Sequence, residues 1–110
     1  MEIKGTLPVA IKKLVGQTEV KSKKVVMRQM TAIEYLQSQS SVQAGQFIAI
    51  ADLSAMTKLI DEDGTEYDVT YDMLGHSSRT NLDYLNSLKE KLDAKEQAEH
   101  TTSEQKSSEH

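Results

Sequence analysis

The residues of this chain best spaced for chemistry are acidic. In DEDGTEYD, residues 61–68, Asp61, Asp63 and Thr65 alternate as the first oxygen ligands of a calcium loop do, and Asp72 stands where a loop-closing acid would. The pattern fails at two points. An EF-hand loop needs glycine at its sixth position, which here is Glu66, and it normally closes with a bidentate glutamate. A solvated acidic turn around Asp63-Gly64 is sufficient. His76, in GHSS, has no second histidine or carboxylate at a spacing that would orient it, and reads as a solvated or capping residue. There is no glycine-rich phosphate loop and no pair of histidines at metal spacing, and the serines lie in turns without a recognisable base. The absence of cysteine removes a thiol nucleophile, a disulfide scaffold and a cysteine metal site, and fits a reducing cytoplasm. The chain therefore reads as non-enzymatic, with no metal or cofactor implied.

Charge is the stronger signal. The net charge is -4, yet residues 1–30 hold seven bases against two acids, a balance of +5, while residues 61–75 hold six acids and no base. Such patches attract each other within the fold or attract a neighbouring copy head to tail, and they govern partner choice more than architecture. The candidates for charge-mediated contact are Lys21, Lys23, Lys24 and Arg28 on one side and Asp61, Glu62 and Asp63 on the other. A small regulatory or nucleic-acid-binding protein using the basic segment is the alternative reading. The run has no interleaved aromatics and the chain as a whole is acidic, which weighs against nucleic acid.

These residues must be positioned by a small domain. The chain has 110 residues, 37% of them apolar, with one phenylalanine, no tryptophan and five methionines. Such a chain buries only a modest core of Leu, Ile, Val, Met and Ala, so oligomerisation or partner binding would help it. The start, MEIKGTLPVA, lacks the apolar centre of a secretory signal, and no apolar run approaches the roughly 18 residues of a membrane span. The expectation is a cytoplasmic α+β domain: an N-terminal β-hairpin, about three helices over residues 1–98, and a disordered polar tail, EHTTSEQKSSEH, over 99–110.

The hairpin is expected over Pro8–Val15 and Thr18–Met30 around Gly16-Gln17. Thr31-Ala32-Ile33-Glu34 fits a capping box, which lets a strand enter a short helix with no loop between them. A second helix is predicted from about Val42 to Ile60, with Ile48, Ala49, Leu53, Ala55, Met56, Leu59 and Ile60 on one face. Asp52 falls inside that face, either as a buried acid with a partner or, the favoured reading, as the cap of a further helix starting at Leu53. Val69–Leu74 fits a short strand or one helical turn capped by Thr70 and ended by Gly75. The clearest helix runs from about Arg79 to Ala98, after N-cap candidates Ser77, Ser78 and Thr80. Its Leu82, Leu85, Leu88 and Leu92 form a narrow stripe suited to packing on its own domain or on another chain.

The order of segments carries a resemblance. TLPVAI, KKVVMRQMTAIEYL, FIAIADLSAMTKL and NLDYLNSLKEKL, in sequence, resemble the small tail assembly chaperones of Mu-like, contractile-tailed bacteriophages, over most of residues 5–95 and with VMRQMTAIEYL as the most telling piece. The resemblance implies a protein that binds the aggregation-prone tape measure protein, and the tail tube protein with it, and is absent from the mature virion. It implies no catalytic residues. The expected client surface comprises Met27, Met30, Leu36, Phe47 and Met56, residues that serve equally as core, and the expected assembly includes a homo-oligomer.

Overall fold

Alternation of apolar and polar residues begins earlier than Pro8. Ile3, Gly5 and Leu7 turn one way and Glu2, Lys4 and Thr6 the other, and in the computed structural model strand β1 spans Glu2–Val15. The structure describes residues 1–108, with side chains through residue 99. β1 turns through Gly16-Gln17 into β2 (Thr18–Arg28), with Val15 paired to Thr18. Gly16 has φ +62, the first-position conformation of a type II′ hairpin turn, which only glycine adopts cheaply.

The hairpin is interrupted by a wide bulge. Thr6 pairs with Lys24 and Ile11 with Ser22, so Leu7–Ala10 face the single residue Lys23. Pro8, which has no N–H to donate, sits in this unpaired stretch, and Leu7 turns into the core at 2% exposure. Beyond the bulge the hairpin continues as a two-stranded ribbon. Lys13 Nζ donates to the backbone oxygen of Asp68 at 2.7 Å, and Ile11 joins the same core as Val69 and Leu74.

The capping box forms as its spacing predicts. Thr31 Oγ1 accepts from Glu34 N–H at 3.2 Å, Glu34 Oε1 accepts from Thr31 N–H at 3.0 Å, and helix α1 covers Ala32–Ser40. The predicted helix over Val42–Ile60 is shorter. Gly45, at φ +86, stops regular structure before α2 (Ile48–Met56). Thr57–Ile60 then leave the helix as β3, because Thr57, Lys58 and Leu59 pair with Met27, Val26 and Val25. The acidic turn returns the chain into β4 (Glu66–Asp68), antiparallel to β3. Asp52 lies in mid-α2 and accepts from Gln39 Nε2 at 2.7 Å, so it caps no helix at Leu53.

Of the two readings of residues 69–74, the helical one holds. Thr70 Oγ1 accepts from Met73 N–H ahead of α3 (Tyr71–Gly75). Ser78 opens α4 (Arg79–Ser108), its Oγ accepting from Thr80 N–H at 3.2 Å. The tail expected over 99–110 lies, for its side chains from 100 onward and its backbone at 109–110, outside the described residues.

The result is an α+β fold: a four-stranded antiparallel sheet in the order β1-β2-β3-β4, with α2, α3 and α4 packed against it and α1 against α2. The core joins Val25, Met27 and Leu59 of the sheet to Leu53 and Met56 of α2 and to Leu85, Leu88 and Leu92 of α4. The leucine stripe of α4 is thus the seam with its own sheet, each buried leucine contributing about 1.5–3 kcal/mol. Side chains of α4 also cap the free edge of β1. Tyr84 Oη accepts from Thr6 N–H at 2.9 Å, and Asn81, fully buried, accepts from Val9 N–H at 3.0 Å and donates to Val9 O at 2.9 Å. The approach is so close that a Cβ on Gly5 would lie 2.3 Å from Tyr84 Oη. Among the described residues no helix is long and apolar enough to cross a membrane.

Candidate partner-binding surface

A helix in a small globular domain normally turns its apolar side inward. α1 does the reverse. None of its residues is buried; Ser38 and Gln39 are its partly covered positions, while Ile33 and Leu36, one turn apart, are 69% and 64% exposed. The start of α2 extends this character, with its N-cap Phe47 at 68% and its first residue Ile48 at 54%. α1 is tied to α2 by the Gln39–Asp52 hydrogen bond, and the connector between them is held through Phe47 N–H donating to Tyr71 Oη at 2.7 Å. Shallow hollows lie beside α1, one lined by Met30, Glu34, Gln37 and Ala55, another by Val42, Gln46, Ala51 and Tyr71.

The structure divides the expected client residues. Leu36 and Phe47 are exposed, as a docking surface requires. Met30 is half-buried, packed against the edge of the core. Met27 and Met56 are corrected: at 0% and 4% exposure they are core, Met27 because it alternates inward with Val25 in the sheet, Met56 because α2 turns it with Leu53 toward that sheet. Ile33 and Ile48 were absent from the expected set. The signal for Ile33 was present in AIEYLQSQS, where an apolar pair at i and i+3 stands on a helix too short and polar to belong to a core.

The sequence matches no protein-family model, no curated protein and no solved structure. What the surface can do must therefore be read from its own chemistry.

The charged candidates divide as well. Arg28 is corrected from a partner contact to an internal clamp. Its guanidinium grips both carboxylate oxygens of Glu66, at 2.6 and 2.7 Å, and donates to Glu2 at 3.1 Å. These bonds raise the pKa of Arg28, and that to Arg28 lowers the pKa of Glu66. Lys58 bonds Asp68 and lowers its pKa. Asp61 is also internal. Partial desolvation pushes its pKa up, but hydrogen bonds from Thr65 N–H, the Tyr67 hydroxyl and Asp63 N–H outweigh this and hold it below the ordinary range. The same bond raises Tyr67. Asp61 is thus committed to shaping its own turn, which has Gly64 at φ +84. Lys21, Lys23, Lys24, Glu62 and Asp63 remain exposed, with no ion pair among the described residues.

Proposed function

We propose that this protein is a non-enzymatic tail assembly chaperone of a phage or prophage, which holds an apolar helical segment of the tape measure protein and keeps it soluble until the tail is built. The single observation that carries this reading is the inverted helix α1, with Ile33 and Leu36 facing solvent, and Phe47 and Ile48 are exposed at the start of the next helix. An apolar pair one turn apart on a helix is the complement of an amphipathic client helix presenting anchors at i, i+3 and i+4. Large apolar side chains left this exposed on a small domain suit an interaction site.

The resemblance to the tail chaperones of Mu-like phages supplies the client, and the segment that carries it, VMRQMTAIEYL, includes the first half of α1. Co-expression with the tape measure protein of the same genome tests the proposal. Soluble client co-eluting with this chain supports it, and client that stays insoluble beside a folded, lone chain opposes it.

A further inference from the structure

The ribbon beyond the β1 bulge carries a face that its own domain does not use. Lys12 stands directly opposite Lys21, and Leu14 opposite Glu19. The other side of the ribbon packs on the core through Ile11 and Val20, so these four point away from it. Directly opposed like charges on an antiparallel pair weaken the pairing. Glu19, 3.7 Å from Lys12, offsets part of this. Lys21, with the exposed Lys23 and Lys24 that follow it, has no ion pair among the described residues, and Leu14 beside them is 72% exposed. Arg28 and Lys58, elsewhere in the sheet, are matched by acids. Lys21, Lys23 and Lys24 thus form a run of exposed lysines in β2 with no ion pair among the described residues.

Its counterpart is the β3–β4 turn. Asp61 fixes the shape of that turn from within, and Glu62 and Asp63 are exposed and unpaired among the described residues. No ion pair joins the two surfaces inside one molecule among the described residues. A cleft of about 460 Å³ has Lys4 and Lys24 on one wall and Asp61 and Glu62 on the other, and no ion pair crosses it among the described residues.

We infer that the outward face of the ribbon, Lys12, Leu14, Lys21 and Lys23, is a docking surface for the β3–β4 turn of a second copy of this chain. The contact matches the unpaired charges of Lys21 and Lys23 to a preshaped negative turn, and copies so joined leave a free ribbon at one end and a free turn at the other. A β-ribbon also fits the major groove of duplex nucleic acid. The net charge of -4 opposes that approach at long range, while the segregation of charge between ribbon and turn favours a second copy. The inference uses none of the residues assigned to the client, and its failure would leave that assignment standing.

The test is light scattering on the full chain with two charge-reversal variants, K21E/K23E and E62K/D63K. Wild type is expected to show a mass above its 12.3 kDa monomer at about 20 mM salt and to return toward it at about 300 mM, where the Debye length falls to about 5–6 Å and attraction between exposed charges is screened. Each variant alone carries like charge on both surfaces and should be monomeric. Their equimolar mixture should associate again, since the intact ribbon of one meets the intact turn of the other. The smaller pair K23E and D63K repeats the test with one charge changed on each face, should a double variant lose its circular dichroism. A mixture that stays monomeric, or a wild type that is monomeric at every salt concentration, overturns the inference. So does binding of a short DNA duplex that K21E/K23E abolishes in the absence of self-association.

Discussion

Asn81→Ala removes the clip by which α4 holds the free edge of β1. Its carboxamide makes two hydrogen bonds, to Val9 N–H and to Val9 O, inside a bulge where β2 offers no partner. At about 1 kcal/mol each, these contribute about 2 kcal/mol. Val9 is 46% exposed, so water takes over part of what Asn81 supplied, while loss of a fully buried side chain adds a cavity cost. The expected loss is therefore about 2–3 kcal/mol, a large share of the stability of so small a domain. With a urea m-value of about 1–1.5 kcal/mol/M, the unfolding midpoint followed by far-ultraviolet circular dichroism should fall by about 2 M.

Asn81→Asp sharpens the test. The carboxylate still accepts from Val9 N–H but meets Val9 O with no donor, in a position with no exposure, so the loss at pH 7 should exceed that of the alanine variant. Burial raises the pKa of such a group in the folded state, so its destabilisation should lessen as pH falls and the acid regains a donor. A midpoint shift below about 0.5 M for Asn81→Ala, or an aspartate variant as stable as wild type at neutral pH, would refute the clip.

Gly5→Ala should cost about 1–3 kcal/mol, because its Cβ would meet Tyr84 Oη at 2.3 Å and break the bond to Thr6; adding Tyr84→Phe should recover part of the loss in a double-mutant cycle, and strict additivity would contradict the close approach. Thr57→Val should stabilise by about 1 kcal/mol in the same urea assay, since Thr57 Oγ1 is buried with no hydrogen-bond partner among the described residues, and a loss of stability would show that the hydroxyl is satisfied. The depressed carboxyls of Glu34, Asp61, Glu66 and Asp68 stabilise the fold above the ordinary carboxylate range, about pH 4, and that contribution is lost as pH falls through their lowered values. Tyr67 works with the opposite sign, so its contribution is lost as pH rises above about 10. Thermal melts should be flat between about pH 5.5 and pH 9 and fall on both sides, whereas stability that rises on acidification would contradict these assignments.

Signals that are local and short in range were legible in the sequence. Thr31 and Glu34 specify their capping box by spacing alone, Thr70 and Gly75 bound α3, and the stripe from Leu82 to Leu92 declares α4. What was misread depends on partners distant in the chain. TKLI continues the apolar pattern of α2, and becomes β3 because Val25–Met27 offer a ladder to join. Gly5 lies ahead of the strand expected from Pro8, and its role appears only with Tyr84, which is brought against it from the far end of the chain. Met27 and Met56 have the composition of an adaptable surface; sheet alternation and the rotation of α2 place both inside. Leu36 and Phe47 could be named from the sequence, yet the inversion of α1 rests on which of its sides meets α2, and no single-helix pattern encodes that.

The central claim is that the exposed apolar residues of α1 and its connector hold a client without supporting the fold. The most direct measurement is co-expression of the tape measure protein with wild type and with Leu36→Asp/Phe47→Asp, followed by size-exclusion chromatography with light scattering and a urea midpoint for each chain. Because both side chains are more than 60% exposed, the variant should keep its stability within about 0.5 kcal/mol while the client moves to the insoluble fraction. A variant that keeps its fold and solubilises the client as well as wild type would contradict the account.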